Sequence, residues 1–158
     1  LSITIHFTGL LAHKINHMIY NRTLTNYDQE IEINNIVGKP FSFFQSLKLR
    51  GIGSSRFIIE SVSTNFTDIV NEVADINYCN IELRPNGVII NVTQQLNLFS
   101  WVIPYYQLVV FDSETFSIHA AGGFIKMVKN KNYSNNKSFI KKMYKLKTRY
   151  SAKNNLAV

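Results

Sequence analysis

The chain has 158 residues, of which 46% are hydrophobic, 13% aromatic and 17% charged. That length fits one domain with enough buried surface to need no metal or disulfide staple, and the composition excludes a collagen-like or disordered chain. The lone cysteine, Cys79, excludes an intramolecular disulfide framework or a multi-cysteine metal site. The formal net charge of +7 is unevenly spread: residues 126–158 hold ten of the 17 Lys and Arg and no Asp or Glu. A mildly acidic body with a basic end is the asymmetry of a protein that touches nucleic acid, anionic lipid or an acidic partner. The chain is also rich in Asn, Ile and Lys, a codon bias of AT-rich genomes that accounts for part of the lysine excess.

Residues 1–40 read as an irregular N-terminal extension. Leu1-Ser-Ile-Thr-Ile-His-Phe-Thr-Gly9 alternates like a strand and lacks the basic start and unbroken apolar stretch of a signal peptide. Leu10, Leu11, Ile15, Met18 and Ile19 follow at helical spacing, and Ile31, Ile33 and Val37 offer a short alternating strand. No segment reaches the roughly 18–20 apolar residues that span a bilayer, so a cytoplasmic address is the default expectation.

Residues 41–150 read as a single α+β domain. Phe57, Ile58, Ile59 and Val62 predict a strand, and Thr67 is the expected N-cap of a helix near 66–76. Strands are then expected at 81–84 and 88–92, with Asn86-Gly87 supplying the positive φ of a tight hairpin turn. Further strands follow at 96–103, 105–111, 116–120 and 124–128, with a bend, bulge or edge expected at Pro104 and a turn at Gly122-Gly123. Short turns at this spacing predict an antiparallel meander of five to seven strands. Residues 130–136 form a polar loop. Phe139, Ile140, Met143, Leu146 and Tyr150 then mark the apolar stripe of a C-terminal amphipathic helix packed on the sheet, opened by Asn136 or Ser138. Residues 151–158 are expected to fray as a basic tail.

Glu82-Leu-Arg-Pro-Asn-Gly87, Ser100-Trp-Val-Ile-Pro-Tyr-Tyr106 and Ser117-Ile-His-Ala-x-Gly-x-Phe124 resemble recurring words in short, uncharacterised bacterial proteins of Bacteroidota type, over about residues 56–150. That resemblance implies no catalytic residue. Antiparallel strands followed by one C-terminal helix are loosely similar in order to pleckstrin-homology-like domains.

Residues that carry chemistry are sparse. His13 and His17 stand four apart, as helical zinc ligands do, but the glutamate of His-Glu-x-x-His is absent and Lys14 follows His13. The pair therefore reads as surface or half-buried histidines. Cys79 has no basic neighbour in sequence and reads as a buried, inert thiol. Arg50-Gly-Ile-Gly-Ser-Ser-Arg56 has glycines, hydroxyls and arginines, yet a strand follows it rather than a helix, so a mobile loop is expected in place of a phosphate cradle. Phe99, Trp101 and Ile103 share a strand face that reads as core covered by the terminal helix rather than a base-stacking platform.

The leading reading is therefore a small non-enzymatic binding protein with no cofactor or metal. Lys141, Lys142, Lys145 and Arg149 on the last helix are its candidate anion contacts, and a polyanion or an acidic protein is the partner. The alternative is a small enzyme whose site gathers His119, Cys79 and Arg84 from distant segments.

Overall fold

The alternation read between residues 57 and 128 becomes one sheet. A computed structural model describes residues 18–24, 26–70 and 76–155. Its strands are β1 (Ile19–Asn21), β2 (Phe57–Val62), β3 (Asn77–Arg84), β4 (Gly87–Gln94), β5 (Asn97–Pro104), β6 (Val109–Asp112), β7 (Phe116–Ala120) and β8 (Gly123–Met127). They pair antiparallel throughout, in the spatial order β1-β5-β4-β3-β2-β8-β7-β6. Two meanders, β2–β5 and β6–β8, are thus joined where β2 meets β8. The fold is α+β, with eight strands among the described residues rather than the expected five to seven. The added strand is β1: Ile19, expected on a helix, pairs with Trp101 instead. Residues 10–17 of that expected helix, and the strand expected at 2–8, lie outside the described residues, and Met18 stands in a turn just before β1.

The turns show what the special residues do. In the β3–β4 hairpin Arg84 faces Gly87, so the two turn residues are Pro85 and Asn86, and neither Asn86 nor Gly87 has positive φ. Gly87 is required for space instead: a Cβ there would stand 2.3 Å from the Ile103 carbonyl oxygen and 2.6 Å from Val37 Cγ1. Pro104 ends β5, after which the chain crosses to the far edge of the sheet as β6. The β7–β8 turn falls at Ala121 (φ 48°) and Gly122 (φ 85°), one residue earlier than expected, with the two positive φ values of a type I′ hairpin.

Helices cover both faces. On one face Ile33 and Val37 of α1 (Tyr27–Val37) bury against Tyr20, Ile89 and Val102. Ile31 and Ile33 suggested a strand, but Asn26 accepts hydrogen bonds from the Asp28 and Gln29 amides and starts a helix whose buried pair is four residues apart. On the other face lies the main core, from Phe57 through Ile81, Leu83, Ile90, Trp101, Ile118 and Ile125. It is closed by Phe66 and Ile69 of a 3-10 turn (Thr64–Ile69) and by Phe139, Ile140 and Met143 of α4 (Lys137–Asn155). The helix expected near 66–76 is this 3-10 turn over its first part; residues 71–75 lie outside the described set. Two short helices were not foreseen: α2 (Phe43–Lys48) and α3 (Lys131–Asn135). Asn130 caps α3, whose buried Tyr133 donates to both Asp112 carboxylate oxygens at 2.9 Å. The tail expected to fray from 151 is helical as far as Asn155.

Candidate anion-binding groove

The candidate site begins with α2. Ser42 and Gln45 form a reciprocal capping box: Ser42 Oγ accepts from the Gln45 amide, and Gln45 Oε1 accepts from the Ser42 amide at 2.9 Å. The helix ends on the reverse pattern. The Gly51 amide donates to the Ser46 carbonyl and the Arg50 amide to the Leu47 carbonyl, both at 2.9 Å, a Schellman closure. Glycine is the usual residue at the left-handed position of that closure, but here it is Arg50, with φ 54°. An L side chain in that conformation costs about 1 kcal/mol or more.

The loop that follows, expected to be mobile, is stitched down on two sides. Its backbone runs along β3, with the Leu83 amide donating to the Ile52 carbonyl and the Ser54 amide to the Ile81 carbonyl. On the other side it meets α4. Asn136, buried just before that helix, accepts from the Ser55 amide at 2.8 Å and donates to the Ser55 carbonyl at 3.1 Å. One turn and a half along α4, the Lys142 ammonium donates to the carbonyls of Arg50 (3.3 Å) and Gly51 (2.6 Å). These bonds seat the end of α2 beside α4.

Between them lies a groove of about 450 Å³ lined by six cations: Lys48, Arg50, Lys141, Lys142, Lys145 and Arg149. Leu49 and Leu146 complete the lining, and no carboxylate takes part. Lys141, Lys145 and Arg149 recur every four residues and so share one side of α4, spanning about 12 Å along its axis. The ion pairs among the described residues lie elsewhere, at Arg22–Glu30, Arg84–Glu82, Arg84–Glu30, Lys126–Glu60 and Lys129–Asp112. The groove cations are therefore uncompensated by carboxylates among the described residues. Burial, and then the neighbouring Arg50 charge, hold the Lys142 pKa below its ordinary value. An anion seated in the groove would relieve that repulsion.

The four α4 cations of the sequence reading thus line one groove, joined by two that were not anticipated. Lys48 and Arg50 stand more than ninety residues before Lys141 in sequence, and only the tertiary contact brings them in. The one available signal was the glycine- and arginine-containing run that begins at Arg50. Lys142 also differs from expectation, because its ammonium fastens the loop as well as facing the groove.

The residues considered for an enzyme are held apart. Cys79 on β3 and His119 on β7 have β2 and β8 between them, three strand spacings or about 14 Å. Cys79 is buried in the main core, where desolvation pushes its thiol pKa up to about 12. Arg84 is buried on the opposite face, donating to Glu82 at 2.6 Å, Asn34 at 3.0 Å and the Gly38 carbonyl at 3.3 Å. It fastens α1 to the hairpin. His119, its pKa lowered by burial, stacks on Phe124 and contacts Ser117 Oγ at 3.0 Å. Among the described residues no group of three His, Cys, Asp or Glu could hold a metal ion; His13 and His17 lie outside them. Trp101 and Ile103 are core, with Trp101 packed on Phe66 at 4.6 Å, so that strand face offers no stacking platform. No described helix is long and apolar enough to cross a membrane. Neither a family model, nor a curated protein, nor a solved structure matches the chain.

Proposed function

We propose that this protein is a non-enzymatic binding domain that holds a phosphate-bearing anion in the groove between α2 and α4. The observation that carries the reading is the convergence of six cations, from two segments distant in sequence, with no carboxylate in the lining. Like charges brought together without counter-charge oppose folding, and an anion spanning them gains several charge-assisted contacts at once. Arg50 adds a second support. Its left-handed backbone would be more stable as glycine, and the arginine adds a cation to the lining of the groove.

Titration with a short inorganic polyphosphate tests this. The wild type is expected to bind, and binding should weaken steeply between low and physiological salt as counterions are released. Lys145→Glu should reduce affinity by about tenfold or more, the value of a charge-assisted contact turned repulsive. Arg50→Gly should also weaken binding while leaving thermal stability equal or higher, because it relieves the backbone strain. Lys142→Glu is a poor probe, since it would set a carboxylate against the Arg50 and Gly51 carbonyls. A wild type that binds no polyphosphate even at low salt would reduce the groove to solubilising charge.

A further inference from the structure

We propose that the groove and α2 together form a docking surface for an anionic lipid bilayer, with the phosphate of a lipid headgroup in the groove and the apolar side of α2 inserted beside it. The inference rests on the anion-binding reading of the groove and names its partner. α2 has no buried residue: Phe43, Phe44 and Leu47 are 77%, 74% and 66% exposed. The two rings meet edge to face at 5.8 Å and so stand as one apolar knob. A six-residue helix is too short to persist in water for its own sake, and here the capping box, the Schellman closure and the Lys142 bonds hold it. The fold thus presents large apolar side chains to solvent on a braced element.

Charge complementarity selects the partner. Phe43 and Lys48 lie on the same helix, about 8 Å apart along its axis, so the knob and the groove cations adjoin. Apolar side chains with basic residues flanking them match the two layers of an anionic membrane surface, acyl chains below and phosphates above. Nucleic acid matches less well, because exposed phenylalanines would need unstacked bases and the phosphate backbone alone gives them no partner. An acidic protein would need an apolar pocket placed beside its carboxylates.

Co-sedimentation separates these cases. Wild-type protein is mixed with vesicles of phosphatidylcholine alone, or of phosphatidylcholine with phosphatidylserine, and in parallel titrated with short polyphosphate and duplex DNA. The expected result is binding to the phosphatidylserine vesicles, little to the neutral ones, and weakening with salt. A Phe43→Ser/Phe44→Ser variant should keep its fold, since both rings are exposed. It should lose on the order of 100-fold in vesicle affinity while its affinity for polyphosphate stays unchanged. If the variant binds vesicles as the wild type does, insertion of α2 is refuted and the groove reading survives. Binding of polyphosphate or DNA without vesicles also overturns the membrane partner alone. A wild type that is dimeric only while Phe43 and Phe44 are intact, and binds no vesicles, would assign the knob to a second copy. Failure to bind any of the anions overturns both readings.

Discussion

Met143→Asp is expected to abolish cooperative folding at room temperature or bring it to the edge of loss. Met143 is fully buried between α4 and the sheet, in the cluster that contains Trp101, Phe116 and Ile125. The substitution removes about 1.5–3 kcal/mol of apolar burial. It also places a carboxyl group where an ion has no partner, at a further several kcal/mol. Together these approach the 5–15 kcal/mol by which a domain of this kind is stable. Met143→Leu, which conserves volume and polarity, should cost less than about 1.5 kcal/mol. Urea denaturation followed by circular dichroism measures both. A Met143→Asp midpoint equal to that of the wild type would mean that α4 does not close the core, and the groove built on it would lose its foundation.

Gly87→Ala should cost about 3 kcal/mol, a large effect for one methyl group at a strand end. Two of the atoms the new Cβ would meet are backbone: the Ile103 carbonyl oxygen at 2.3 Å and Pro104 Cα at 2.9 Å. Those belong to the neighbouring strand and cannot yield without parting β4 from β5. The third, Val37 Cγ1 at 2.6 Å, belongs to α1, so the same methyl group also lifts that helix. Adding Val37→Ala should recover only the part due to the side chain. Gly53 is the control, because a Cβ there would meet nothing within 4 Å, and Gly53→Ala should be close to neutral. Thermal unfolding of the three variants checks the ranking. Equal stabilities at positions 53 and 87 would show that β4 and β5 do not approach as closely as described.

Where periodicity was strong and local, the sequence was readable. Alternation over 81–92 and 96–103 located the central hairpins, and the spacing of Phe139, Met143 and Leu146 located α4 and its buried side. The mistaken elements share a cause. Ile31 and Ile33 alternate like a strand, but the cap at Asn26 and the i, i+4 burial of Ile33 and Val37 decide for helix. In α2 the apolar residues are exposed, so no amphipathic pattern pointing to the core could mark it; only the Ser42–Gln45 capping box could have. At Gly87 the local sequence suggests a φ requirement, whereas close packing from another strand, invisible in local sequence, explains the glycine. The groove was half legible for the same reason. Four of its cations lie on one amphipathic helix, while Lys48 and Arg50 arrive through contacts formed across the fold.

The most direct test of the groove is a map of backbone amide shifts as short polyphosphate is added to the ¹⁵N-labelled protein at low salt. The account predicts that the largest changes fall together at residues 48–51 and 141–149, at one common dissociation constant, and that Lys145→Glu diminishes both sets alike. Changes spread evenly over the lysines of 126–153, sparing 48–51, would contradict it, because they would describe diffuse attraction to a basic helix and no groove.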